Sequence, residues 1–184
     1  VLLLIGEILI GAFLGAIARI LISALQTAGT IIAFASSMAN AMTNDAISEQ
    51  QSSTISAFFM TAGLVLIFVS DLHHLMLITV IDSYSLFVPG EDLMIEDMSH
   101  FMARKVSDSF ALALQMSAPF IVVALTYYIG LGLLGRLMPQ LQVFFFGMPF
   151  QLAAMLWVLA ITSSGILMVF ISNFQEVYTS FTLE

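Results

Sequence analysis

Apolar residues run along this 184-residue chain in four long stretches separated by short polar intervals. The first, Val1 to about Phe34, exceeds the roughly 20 residues that cross a bilayer as a helix. It is therefore expected to tilt, to break or to lie only partly in lipid. The second, Ile55 to Ile81, reads by length as one helix. A third begins near Ser107 or Asp108, both good caps, and reaches Leu134. The fourth runs from about Gln142 to Phe174, and a polar, aromatic tail follows from Asn173 to Glu184. Proline lacks an amide proton and clashes with the preceding turn, so kinks are expected at Pro119, Pro139 and Pro149. The pattern predicts an all-α protein of four main helices, arranged as hydrophobic helical hairpins of a membrane-associated complex. Residues 1–184 form a single unit without internal repeats.

Two intervals differ in texture from the runs they separate. Residues 35–54 open with small and polar residues punctuated by Met38 and Met42, and close on a solvated turn from Glu49 to Thr54. If helical, the two methionines share a face, and methionine suits surfaces that close and reopen. On residues alone the segment reads as a mobile hairpin loop. Residues 82–105 form an acidic connector. Pro89-Gly90 marks a turn, and Glu91, Asp92, Glu96 and Asp97 precede Arg104 and Lys105, the order a helix dipole prefers. Met94, Met98, Phe101 and Met102 fall on one face, predicting a short amphipathic helix at an interface or over another subunit.

Composition sharpens this picture. Hydrophobic residues make up 60% of the chain and charged ones 9%, against about 25% charged in soluble domains. The chain is thus a membrane-inserted or membrane-complex subunit. A net charge of −8 argues against a nucleic-acid role, and four Lys and Arg leave the positive-inside rule little to count. With no cysteine there is no disulfide framework or thiolate site. The chain opens inside an apolar run at Val1, without a basic n-region or a small-residue cleavage site. Val1 is accordingly not expected to be the biological start.

Candidate chemistry is sparse. Gly11 and Gly15, flanked by alanines, offer a face for close helix packing, although small residues are common in any membrane helix. Glu7 and Arg19 lie three turns apart on similar faces, each needing a partner in this chain, in another subunit or at the aqueous edge. Asp71, His73 and His74 sit at i, i+2 and i+3, whereas helical metal ligands commonly sit at i and i+4. No metal role is expected, only a polar stripe facing partners. Ser, His and Asp occur without a motif that joins them, so no enzyme is expected. A transporter would predict an inverted repeat, and none is visible. Arg136 stands alone just ahead of the interruptions at Pro139 and at Gly147 and Pro149. Such a charge and such freed backbone are costly in lipid unless protein neighbours satisfy them, which points to a packed assembly.

The pattern Arg136-x-x-Pro139-Gln140-x-x-x-Phe144-x-x-Gly147-x-Pro149 resembles that of the FliR family of type III export-gate subunits, found in flagella and in virulence injectisomes. Gly6-Glu7 with Gly11 and Gly15, Gln26-x-Ala28-Gly29, and His74 ahead of Ser83-Tyr84 and Pro89 extend the likeness over nearly the whole chain. The resemblance implies a non-enzymatic part of the channel for unfolded flagellar proteins, in the bacterial inner membrane at the centre of the basal body. It implies FliP-like, FliQ-like and FlhB-like partners, no cofactor, and further apolar helices ahead of Val1. Gly147 before Met148-Pro149 favours the flagellar branch. Assembly contacts are expected at Glu7, Gly11, Gly15, Arg19, His74, Arg136, Pro139, Gln140, Phe144, Gly147 and Pro149. In this family the segment matching residues 35–54 acts as a channel plug. Here Ser37, Ala39, Asn40 and Ala41 are small enough for a narrow lumen, and Met38 and Met42 would exclude water. Thr43, Asn44 and Asp45 then lead the chain back.

Overall fold

The computed structural model describes residues 2–37, 42–44, 51–88, 95–138 and 143–182. Five helices carry the fold among them. They are α1 (Leu2–Ala35), α2 (Thr54–Val69), α3 (Leu72–Leu86), α4 (Ile95–Leu137) and α5 (Val143–Thr182). Two three-residue strands, β1 (Met42–Asn44) and β2 (Gln51–Ser53), pair antiparallel between α1 and α2, with Met42 opposite Ser53 and Asn44 opposite Gln51. The architecture is all-α apart from this ribbon.

α1 is the central element. Ile17, Leu21, Ala24, Leu25, Ala28 and Ile32 are all buried, at the three- and four-residue steps of one helical stripe. Phe13 packs on Phe101, with ring centroids 6.0 Å apart, and Ser37 reaches Tyr128. Matching positions thus rise together, and α1 runs parallel to α4. Gln151, near the start of α5, meets the far part of α4, so α5 runs back antiparallel. Phe59, Phe120, Phe170 and Phe174 are fully buried in the core these helices share with α2.

Three expectations need correction. The second apolar run is two helices, bent by 72° at a break on Ser70 and Asp71. Asp71 takes the left-handed conformation, with φ 57°, which costs a non-glycine residue about 1–2 kcal/mol. Neither glycine nor proline marks the spot, so length alone suggested one helix. The amphipathic helix and the third run are likewise one element, because no breaker separates Ile95 from Leu137. Ser107 and Asp108 lie within it as exposed residues, and its amphipathic face packs on α1 of the same chain. The fourth run continues to Thr182. Five main helices thus replace the expected four.

Pro139 lies outside the described residues, but α4 ends at Leu137 and α5 begins at Val143, the interruption expected there. Pro119 and Pro149 lie inside α4 and α5 without ending them. Three helices, Leu4–Ala35, Ile95–Leu137 and Gly147–Ser180, are long and apolar enough to cross a membrane, and the bent pair would add a fourth span. α4, with 43 residues, is about 65 Å long, roughly twice the hydrocarbon thickness of a bilayer. Its charged first part, Glu96 to Asp108, is about 20 Å of helix and makes up just over half of the excess.

Candidate functional site

The β1–β2 ribbon connects α1 to α2, and described residues at both ends of this connection are tied down. At the first, Gln151 of α5 is only 3% exposed. Its Nε2 donates to the Ala35 carbonyl at 3.0 Å and to the Tyr128 hydroxyl at 3.1 Å. A helix leaves its last carbonyls without partners, and Gln151 thereby satisfies one at the end of α1. Tyr128 in turn lies 3.3 Å from the Ser37 hydroxyl. Ser37 holds a left-handed conformation, with φ 57°, just past the helix end. That is the position where such a residue terminates α-helical hydrogen bonding.

The second end is a knot of hydroxyls. Ser53 caps α2, its Oγ accepting from the Ser56 amide at 3.1 Å. The fully buried Ser56 donates its hydroxyl to the Gln26 carbonyl of α1 at 3.0 Å and lies 3.0 Å from Thr30 Oγ1. A methyl group on Gly29 would stand 2.5 Å from Ser56 Cα and 2.9 Å from its nitrogen. The α1 and α2 backbones therefore nearly touch, and Gln26-x-Ala28-Gly29 is the α1 side of that crossing. Every side chain named at the two ends is neutral. The arrangement holds a segment in place by hydrogen bonds.

The structure places the sequence-predicted residues unevenly. Ser37 sits at the first end, and Met42, Thr43 and Asn44 form β1. Met38, Ala39, Asn40, Ala41 and Asp45 lie outside the described residues, as do Pro139 and Gln140. Phe144 stands in the first turn of α5. Gly11 and Gly15 are exposed, with nothing within 4 Å of an added methyl. Glu7 is half-buried and Arg19 exposed on the unbroken α1. Twelve residues of helix put them about 18 Å apart, too far to pair with each other. Arg136 is exposed in the last turn of α4, with no carboxylate within ion-pair reach among the described residues. Pro149 is exposed. His74 lies at the α2–α3 break, 3.5 Å from Asp71.

Gly147 is buried for a specific reason. A methyl group there would lie 2.6 Å from the Tyr127 hydroxyl and 3.1 Å from Leu131 Cδ2. That hydroxyl is buried and has no hydrogen-bond partner among the described residues. Gly147→Ala is expected to destabilise the fold by about 1–3 kcal/mol through overpacking. Adding Tyr127→Phe should recover most of the loss, because it deletes the nearest atom. Thermal unfolding in detergent of both single variants and the double variant checks this, and Tyr127→Phe alone should be close to neutral.

Sequence reasoning passed over Gln151, Tyr128, Ser53 and Ser56. A lone amide in an apolar helix, four residues after Gly147, was the available signal for Gln151. Ser53-x-x-Ser56 at the head of an apolar run was the signal for the cap.

These features define a class: a polytopic helical membrane subunit, whose exposed apolar faces on α4 and α5 exceed what its own core covers. The chain matches the family of bacterial export proteins, family 1, over residues 1–177. It is 34% identical over 178 residues to the flagellar biosynthetic protein FliR of Caulobacter vibrioides, covering 97% of this chain and 71% of that one. Against FliR of Bacillus subtilis the identity is 31% over 166 residues, covering 89% and 64%. Against FliR of Escherichia coli it is 32% over 154 residues, covering 82% and 58%. The chain belongs to the bacterial export proteins, family 1.

Proposed function

We propose that this chain is a non-enzymatic subunit of the flagellar type III protein export gate in the bacterial inner membrane, and that residues 37–45 close its channel at rest. Family membership and the flagellar relatives support the first part. The observation that supports the second is the anchoring of the α1–α2 connection at both ends on the helices. A channel wide enough for an unfolded polypeptide leaks ions unless something fills it. The filler must be held at its base, yet must lack strong bonds along its length. Gln151 and Tyr128 on one side, and Ser53 and Ser56 on the other, supply the base. Small residues and two methionines supply the rest.

The remaining surface suits burial in a larger assembly. Phe150, Trp157, Ile161 and Met168 are exposed along α5, and the Gly11/Gly15 face of α1 is vacant. FliP-like and FliQ-like subunits are the proposed neighbours, with an FlhB-like subunit nearby, at the centre of the basal body. A neighbour also supplies the partner for Arg136. Unfolded flagellar proteins are the proposed cargo.

Deleting Ala39 to Thr43 tests the reading. Because both anchors lie outside the deletion, the complex should assemble and be recovered normally. Resting uptake of small ions or solutes should rise in cells that express it. An intact barrier in a properly assembled complex would overturn the plug assignment.

A further inference from the structure

The break between α2 and α3 gathers three metal-binding side chains that the export reading leaves unused. On a straight helix, residues 71, 73 and 74 would not converge. The left-handed turn at Asp71 removes that obstacle, and one ligand atom from each of Asp71, His73 and His74 lies within 4.8 Å of the other two. Tetrahedral ligands with metal bonds of about 2.0–2.2 Å stand roughly 3.3–3.5 Å apart. Rotations of the exposed Asp71 and His74 side chains can close the difference.

Two further observations point to a ligand. Asp71 is the N-cap of α3, yet its side chain makes no capping bond, the use an N-cap aspartate normally has. Its Oδ1 instead faces Nδ1 of His74 at 3.5 Å. The Nδ1 atom of His73 is closed off from solvent and has no hydrogen-bond partner among the described residues. Its ring is held by Phe68, at 5.1 Å between centroids, and by His74, at 4.1 Å. A buried polar atom without a partner calls for an explanation. Two imidazoles and a carboxylate suit borderline metals, whereas calcium and magnesium favour all-oxygen sites.

We propose that Asp71, His73 and His74 bind a divalent transition cation of the zinc, cobalt and nickel class, and that the ion pins the α2–α3 break. Water completes the coordination, and the role is structural.

The test uses the whole protein, expressed with its export-gate partners and purified in detergent through a histidine-free tag. Cobalt(II) serves as the probe, because tetrahedral cobalt absorbs in the visible. Titration should give saturable absorption of one cobalt per chain above the level in the His73→Ala/His74→Ala double variant, and zinc should displace it. Asp71→Asn keeps the side-chain shape and should weaken binding by more than about tenfold, since even outer-shell partners are worth that much. His100→Ala should bind as the parent does. X-ray absorption of the bound cobalt should show imidazole and carboxylate ligands, a readout that needs no variant. Equal cobalt binding by parent and double variant, or an all-water and carboxylate shell, would overturn the assignment.

Discussion

Gly29→Ala is expected to leave little assembled complex, although it adds a single methyl group. The atoms that methyl would meet are Cα and N of Ser56, both backbone, so no side chain can swing aside. The two helices must move apart instead. Overpacking alone costs about 1–3 kcal/mol. Separation also stretches the contacts of Ser56 with the Gln26 carbonyl and with Thr30 Oγ1, and buried polar groups left unpaired add roughly 1–3 kcal/mol. The sum, about 2–6 kcal/mol, is a large share of the 5–15 kcal/mol that holds an ordinary domain together. Gly11→Ala is the matched control, since its methyl meets nothing within 4 Å. Thermal unfolding and recovery of the detergent-solubilised complex should separate the two variants clearly. Equal stability would mean that the α1–α2 crossing tolerates spreading.

The long elements were legible because apolar length and breakers are one-dimensional signals. α1 ends within a residue or two of where its apolar run does, and α4 ends at Leu137, near where a break was expected. The break at Ser70 and Asp71 was not legible, because serine and aspartate favour caps yet also occur inside helices, as Ser107 and Asp108 do in α4. The bend sets α3 against α5, a tertiary contact that a local reading cannot see. The fusion of the amphipathic segment with α4 was missed for the opposite reason. Ser107 and Asp108 are good caps, but a cap residue starts a helix only where the preceding backbone has left helical geometry. Nothing from Ile95 to Val106 obliges it to leave.

The candidate site was half legible. Small residues and methionines marked Ser37 to Asp45 as unlike its surroundings. Of the residues that hold its base, Tyr128 and Gln151 come from α4 and α5, more than 90 positions later, while Ser53 and Ser56 follow close behind it. Gln26-x-Ala28-Gly29 was visible as a pattern, but its meaning, an approach too close for any side chain, needs Ser56 in place. The spacing argument at Asp71, His73 and His74 assumed a continuous helix. Once Asp71 leaves the helix, spacing rules for helical ligands no longer apply to it.

Gln151→Leu is expected to make the resting gate leak while leaving assembly largely intact. Leucine keeps the side-chain bulk against the core but cannot donate. The Ala35 carbonyl and the Tyr128 hydroxyl then both lose a bond. A buried acceptor left unmet costs about 1–3 kcal/mol, less than the loss expected at Gly29, and it falls at the root of the proposed plug. The freed end of α1 should fray through Ser36 and Ser37, so that residues 38–45 sample positions away from the channel axis. Tyr128→Phe, which removes only the hydroxyl contacts, should leak less. Gln151→Glu should leak most, because a carboxylate would face the Ala35 carbonyl without a donor between them. Solute uptake or membrane conductance in cells expressing each variant gives the ranking, and co-purification of partner subunits reports assembly independently. A tight barrier in all three variants, with the complex recovered at the parent's level, would show that Gln151 does not hold the plug. Failure to recover the complex from Gln151→Leu would mean that this amide supports the helical body as a whole, not the segment that leaves it.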